Sequence, residues 1–150
     1  MKNLNRLLKN EIIDLGKAGM VLEYSYQKCR NVHVSPDLTN EELESYEALA
    51  SRFARLSDII IQKVFRSIEA LDLEETGSVR DRINRAEKKG LIPSADIFIE
   101  IRTLRNEIAH EYQSQTIFTI FEKVLALTPE LINSIDSISA YASKYISEED

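Results

Sequence analysis

Apolar residues recur along most of the chain at the three- and four-residue spacing of amphipathic helices. Between residues 3 and about 30 this spacing predicts one long helix with these apolar positions: Leu4, Leu7, Leu8, Ile12, Leu15, Ala18, Met20 and Leu22. A second series, from Leu43 to Ile68, predicts another long helix. It should begin after Thr39, which stands three residues before Glu42 in a capping-box pattern, and the segment LEETGS should end it.

Polar capping residues, glycine and proline mark the remaining predicted helices. Ser78 is expected to cap a short third helix, VRDRINRAEKK, which ends at Gly90, and Ser94 is expected to begin a fourth helix after the connection GLIPS. The segment QTIFTIFEKVLALT predicts a fifth helix. Pro129 suits the first turn of a sixth helix that runs to about Ile146.

Composition favours a single helical domain. The 150 residues contain only four glycines and three prolines, and helix-forming residues are abundant. With short connections, the pattern predicts an all-α fold, one helical bundle of about five to six helices over residues 1–150, with a frayed acidic tail at 145–150. No apolar run approaches the ~18 residues of a membrane helix and the N-terminus lacks a signal-peptide core, so we expect a cytoplasmic protein without membrane contact.

The cysteine and histidine content and the net charge limit the possible chemistry. Two histidines and one cysteine, Cys29, cannot form a usual structural zinc site or an intramolecular disulfide. This favours metal-independent chemistry, or an ion held by carboxylates, and no motif predicts a cofactor. The net charge of −6 argues against non-specific coating of nucleic acid, because that binding depends on neutralising phosphates.

The fourth predicted helix concentrates side chains that are common at catalytic sites. Its apolar residues fall on one face: Ile97, Ile101, Leu104 and Ile108. Arg102, Asn106 and His110 lie on the opposite face, at intervals of four residues. On an ideal helix Arg105 lies ~140° from His110, so the two can meet at one phosphate only if the helix unwinds near Ala109 or a second subunit contributes one of them. Either arrangement predicts a site in a cleft near the end of this helix.

The segment RNEIAHEY resembles the signature of HEPN domains, a family of helical nucleotide- and RNA-binding proteins. Arg105, Asn106 and His110 match its R-polar-x3-H motif, and Tyr112 completes the longer R-x4-H-x-Y form of the HepT-like toxins. The preceding residues are also similar to that branch, with a Ser-x-Arg-Asp opening and a Gly-x-Ile-Pro connection. The resemblance is specific over residues 78–112, and it extends to helix order along nearly the whole chain.

The resemblance implies a metal-independent endoribonuclease that acts as the toxin of a toxin–antitoxin pair. RNA cleavage without a metal needs a group that accepts the 2′-OH proton, a group that protonates the leaving 5′-oxygen, and a cation that stabilises the phosphorane. We expect His110 to transfer protons, Arg105 to stabilise the transition state and Asn106 to position the phosphate or the imidazole. One chain supplies one such histidine, so a two-histidine scheme requires a homodimer, as the resemblance also implies.

RNA contacts and regulation are expected at further residues. The third helix is locally basic, which suits a flank of an RNA-binding cleft, a surface for an acidic partner, or a solvated face. The expected RNA contacts are Arg80, Arg82, Arg85 and Arg102. The resemblance implies that a minimal nucleotidyltransferase antitoxin adenylylates Tyr112, which would place phosphate charge beside the site. Tyr112 could instead simply pack its ring at a helix end.

Blander interpretations fit the same residues. His110 could be a surface histidine bonded to Glu107 or Glu111, and Arg105 could pair with Glu100 or Glu107. The whole chain could be a non-catalytic nucleotide- or substrate-binding partner subunit of a minimal nucleotidyltransferase. It could also be a structural helical adaptor, for which no motif is needed.

Overall fold

Residues 2–110 and 114–146, which the computed structural model describes, fold into helices joined by short loops and contain no strand. The elements, in chain order, are α1 (Lys2–Cys29), α2 (Asn40–Asp58), a π-helical segment (Ile59–Val64), α3 (Phe65–Leu71), α4 (Val79–Lys88), α5 (Ala95–His110), α6 (Ser114–Asn133) and α7 (Ile135–Ala142). The expected all-α helical bundle is confirmed. Across these same ranges, no helix combines the length and the apolar character needed to cross a bilayer.

Local capping signals begin and end helices where the sequence predicted. The Thr39 hydroxyl accepts a hydrogen bond from the Glu42 backbone N–H (3.1 Å), and the Glu42 carboxylate accepts one from the Thr39 N–H (2.9 Å). Ser78 and Asp81 make the same reciprocal pair at the start of α4, both at 3.0 Å. Gly90, at φ +79°, follows α4 and ends it. Each box satisfies two backbone donors that a helix start otherwise leaves unpaired.

Aromatic side chains fill the centre of the bundle. α1 packs along α2, and α6 packs against both. The largest fully buried side chains are Tyr46, Phe53, Phe65, Phe98 and Phe121. The ring of Tyr46 stacks on that of Phe121 with centroids 5.1 Å apart, and its hydroxyl donates to the Cys29 carbonyl at 3.0 Å. This contact satisfies a polar group that would otherwise be buried without a partner.

The motif helix α5 is fixed at its start and along its inner face. The Glu87 carboxylate accepts a hydrogen bond from the Ala95 N–H (2.7 Å), and the Ser94 hydroxyl accepts one from the Ile97 N–H (3.3 Å). Negative charge at a helix start also stabilises the helix dipole. The side chains that α5 buries are Ala95, Phe98, Ile101 and Leu104. These anchors set which side of α5 faces α2.

The predicted long second helix is continuous but changes its winding. Residues Ile59–Val64 form a π-helix, in which the backbone hydrogen bonds run from i to i+5. Its apolar residues are buried, whereas Gln62 and Lys63 are exposed. The sequence pattern did not predict this segment.

The end of the bundle differs from the prediction at Pro129. The expectation that a sixth helix starts there is wrong, since α6 continues through Pro129 and the break falls at Ser134. Proline removes one backbone donor, but Val124 and Leu131, on either side of it, are fully buried. We infer that this packing keeps the turn helical. The Ser134 hydroxyl donates to the Leu131 carbonyl (2.8 Å) where α6 ends.

The C-terminal residues are attached to the bundle as far as the structure describes them. α7 ends at Ala142, short of the predicted Ile146. Within the tail expected to fray, Tyr145 and Ile146 pack against the core, and the Tyr145 hydroxyl donates to Asp72. Residues 147–150 lie outside the described part of the chain.

Candidate functional site

The guanidinium of Arg105 is held by a carboxylate at the end of α2. Nε donates to Asp58 Oδ1 at 2.7 Å and Nη2 donates to Oδ2 at 2.9 Å, which is a bidentate pair. These hydrogen bonds raise the pKa of Arg105 above its already high usual value. The pair is only partly shielded, with 32% of the Arg105 side chain and 37% of the Asp58 side chain exposed. The carboxylate partner is therefore Asp58, rather than Glu100 or Glu107.

The position of Arg105 on α5 explains this pairing. On an ideal helix Arg105 lies about 20° from Phe98 around the axis, because seven residues nearly complete two turns. Phe98 is fully buried, so Arg105 leaves α5 on the side that faces the bundle. A guanidinium next to an apolar interface is stable there when a carboxylate neutralises it. Asp58, the last residue of α2, supplies that charge.

A cavity of about 370 Å³ opens beside the ion pair. It is lined by Ser57, Asp58, Ile61, Gln62, Lys63, Arg102, Arg105 and Asn106. Three of these side chains are cationic and one is anionic, although Glu11 of α1 also interacts electrostatically with Lys63. The cavity is thus locally positive in a chain of net charge −6. Such a surface attracts anions such as phosphate.

The π-helical segment places two of the lining residues. In an α-helix Asp58 and Lys63, five residues apart, would lie ~140° from each other around the axis. A π-turn contains about one more residue, so positions i and i+5 come closer to the same side. Asp58, Gln62 and Lys63 therefore line one cavity.

His110 lies outside this cavity, as the last residue of α5. Its side chain is exposed, and the helix stays regular through Ala109. The local unwinding considered from the sequence is therefore absent up to His110. Within one chain Arg105 and His110 are separated by about 7.5 Å along the axis and ~140° around it. The arrangement in which a second subunit contributes one of the two residues stays a prediction.

The arginines of α4 lie in different environments. Arg82 is buried, with its Nε donating to Glu69 at 2.7 Å and its Nη1 donating to the carbonyl of Ile61 at 3.4 Å. Arg85 donates to the other oxygen of Glu69 at 2.5 Å. Arg80 is exposed. Among the expected RNA contacts, only Arg102 lines the cavity. Arg82 instead contacts the π-helical segment from within the bundle, through the Ile61 carbonyl.

Tyr112, the predicted modification site, lies outside the described residues. Over the described ranges, no three His, Cys, Asp or Glu side chains are grouped so that they could hold a metal ion.

Sequence reasoning missed Asp58, Gln62 and Lys63. One signal was present, because an arginine about 20° from a large apolar residue on a packed helix needs a nearby carboxylate. Helix α5 alone does not reveal which carboxylate that is. Asp58 is 47 residues away, so no short motif contains both.

No protein-family model and no curated protein sequence matches this chain. The resemblance to HEPN domains therefore rests on the motif with its flanks and on helix order, and it stays a prediction. The geometry adds a positively charged cavity that contains two of the three motif residues, Arg105 and Asn106.

Proposed function

We propose that the chain is an HEPN-like, metal-independent endoribonuclease of the HepT-like type, acting as the toxin of a toxin–antitoxin pair in the cytoplasm. The observation that carries this proposal is the positively charged cavity lined by Arg102, Arg105 and Asn106, one to two turns from His110 on the same helix. A phosphodiester is the anion that best fits this set of side chains, because the histidine can transfer protons at a phosphate that the cationic side chains bind.

In the proposed reaction the ribose 2′-oxygen attacks the adjacent phosphorus. His110 of one subunit accepts the 2′-OH proton, and His110 of the other protonates the leaving 5′-oxygen. Arg105 donates hydrogen bonds to the phosphoryl oxygens as negative charge builds up in the phosphorane. Asn106 positions the phosphate. The products are a 2′,3′-cyclic phosphate and a free 5′-hydroxyl, and in this scheme protein side chains alone transfer the protons and stabilise the charge.

A homodimer is part of this proposal. His110 is exposed at the last described residue of α5, where a second copy of the chain could reach it. Arg102 and the exposed Arg80 are the proposed contacts to RNA beyond the reacting phosphate. A minimal nucleotidyltransferase antitoxin is the proposed partner, and transfer of a nucleotide to Tyr112 would block the site by adding negative charge.

A second candidate function is a non-catalytic partner subunit that binds a nucleotide. The cavity volume of about 370 Å³ favours this candidate, because small-molecule sites typically enclose about 300–1,000 Å³. In that case the triphosphate of the nucleotide would interact with the cationic side chains, and His110 would have no chemical role.

Cleavage of RNA in the presence of EDTA tests the proposal. Purified protein would first be shown by intact mass to carry no nucleotide on Tyr112. We expect the wild type to cut total RNA and the His110→Ala variant to be slower by about 10²-fold or more, the usual effect of losing a general acid or base. The matched control is His33→Ala, which removes the other histidine from an exposed loop position.

The outcomes separate the two candidates. Wild-type protein that leaves RNA intact, or His110→Ala protein that cuts as fast as the wild type, would overturn the proposed endoribonuclease. Intact RNA together with binding of adenosine triphosphate, lost in Arg105→Ala, would favour the nucleotide-binding subunit.

A further inference from the structure

Asp58 is the carboxylate in an otherwise cationic cavity. A negative charge at that place repels an incoming phosphate, and the repulsion is stronger at a partly buried site than in bulk water. For simple phosphate binding this carboxylate is therefore unfavourable. Its hydrogen bonds to Arg105 indicate a different role.

Over the part of the chain that the structure describes, the hydrogen bonds of Arg105 leave one edge of its guanidinium free. Arginine carries five N–H donors in a rigid fork. Asp58 accepts from Nε and from one proton of Nη2, at 2.7 and 2.9 Å. Among the described residues, no hydrogen bond is made by Nη1 or by the second proton of Nη2, so these protons remain for another acceptor. This edge has the spacing for two parallel hydrogen bonds to phosphoryl oxygens.

The geometry points to Asp58 as a positioning residue for Arg105 in the proposed ribonuclease reaction: it fixes the plane of the guanidinium so that the free edge meets the reacting phosphate. This inference rests on the proposed function. A long arginine side chain otherwise samples many rotamers, and fixing it in advance removes an entropy loss from the reaction. The gain is largest in the transition state, where the phosphoryl oxygens carry more charge than in bound RNA.

Two opposite effects follow when the charge of Asp58 is removed. Asp58→Asn has nearly the same shape but loses one negative charge from the cavity and cannot accept both hydrogen bonds from Arg105. RNA should bind more tightly because repulsion is lost, by about three-fold for one partly exposed charge. Cleavage at saturating RNA should be slower by about ten-fold, because Arg105 is no longer held in place.

These effects are measured with two substrates. A fully 2′-O-methylated RNA, which cannot be cut at the 2′-oxygen, reports the dissociation constant, and unmodified RNA of the same sequence reports the cleavage rate at saturation. Asp96→Asn is the matched control, because it changes the net charge equally at an exposed position in the first turn of α5. We expect both values for this control to stay close to those of the wild type.

Two further variants test whether Asp58 acts through Arg105. In an Arg105→Lys background, where bidentate pairing is lost, Asp58→Asn should not slow cleavage further. Asp58→Glu keeps the charge and displaces the carboxylate, so RNA binding should stay close to wild type while cleavage slows. This second variant also tests the inference if Asp58→Asn does not fold.

The results can contradict the inference without contradicting the proposed function. If both Asp58 variants cut RNA as fast as the wild type, the positioning role is wrong, while the proposed ribonuclease activity is unaffected. Parallel losses of binding and cleavage that follow a lower thermal midpoint would assign Asp58 a structural role only. If the wild type does not cut RNA while its fold is intact, the proposed function fails, and this inference fails with it.

Discussion

Arg80 and Arg82 are two residues apart on α4 but have opposite surroundings. Arg82 is 8% exposed and pairs with Glu69, whereas Arg80 is exposed to solvent. Helix geometry accounts for the difference, because two residues along an α-helix turn the side chain by ~200°. A basic run on a helix therefore mixes structural and surface charges, and sequence composition does not separate them.

Substituting each arginine separately should reveal this difference in stability. Arg82→Ala leaves Glu69 with Arg85 as its cationic partner and removes the donor to the Ile61 carbonyl, so we expect a loss of about 3 kcal/mol in the free energy of unfolding. Arg80→Ala should change it by less than about 0.5 kcal/mol. Urea unfolding at neutral pH measures both values. Equal losses for the two variants would mean that Arg82 is not held as described.

Individual residues were predictable where their partners are close in sequence. Thr39 and Ser78 were recognised as helix caps because each partner lies three residues away. Arg105 was recognised as a candidate site residue from the motif around it. Its carboxylate partner Asp58 was not, because their separation of 47 residues depends on how α5 packs on α2.

At the scale of helices, the π-helical segment was the feature that the sequence did not reveal. Residues Ile59–Ile61 form an uninterrupted apolar run, and all three are buried. Where every position is buried, apolar spacing no longer distinguishes a turn bonded from i to i+4 from one bonded from i to i+5. The start of a new helix at Pro129 was predicted wrongly because proline usually stands in the first turn of a helix. Here the buried residues on both sides of Pro129 keep α6 continuous.

The π-helical segment makes a testable contribution to the cavity through Lys63. Lys63→Ala removes one cation from its lining, so binding of the 2′-O-methylated RNA should weaken several-fold and the negative slope of log K against log salt should become shallower by about one. Lys17→Ala is the matched control, since Lys17 is an exposed lysine on α1 away from the cavity. Equal effects of the two substitutions would show that RNA does not use the cavity.

At the scale of the molecule, Asp72 connects three parts of the bundle. It follows α3, and its carboxylate accepts hydrogen bonds from the Tyr141 hydroxyl (2.6 Å), from the Tyr145 hydroxyl and from Lys89 (2.8 Å). Burial alone would raise the pKa of Asp72, but these hydrogen bonds and the charge of Lys89 together lower it below its usual value. The ionised carboxylate therefore stabilises the fold.

This network gives a signed dependence of stability on pH. The folded state holds the Asp72 proton less tightly than the unfolded state, so the stabilisation is fully present above the ordinary aspartate pKa of about 3.9 and is lost as the pH falls through the lower folded value. Asp72→Asn should be less stable at pH 7 and should lose less stability between pH 7 and pH 3 than the wild type. Urea unfolding at both pH values measures this, with the exposed Asp136→Asn as control. Parallel pH curves for the wild type and Asp72→Asn would contradict it.

The overall architecture could be predicted because each helix carries its own apolar period, and a bundle is the simplest way to bury several such faces. Contacts between distant parts could not. The hydrogen bond from Tyr141 to Asp72 spans 69 residues, and neither side chain stands in a motif. The same limit applied to the cavity, whose walls come from α2, the π-helical segment and α5.

Arg82 of α4 bonds to Glu69 and to the Ile61 carbonyl in the π-helical segment, and we call these contacts the brace. The brace has a genetic consequence. Glu69 and Arg82 do not line the cavity, yet Arg82 bonds to the backbone of Ile61, which does. If the proposed toxin activity is right, the spontaneous mutations that abolish toxicity would therefore extend beyond the residues proposed to contact RNA. Survivors would carry changes in the brace as well as in Arg105 and His110, and the two groups would differ in how much folded protein the cell retains.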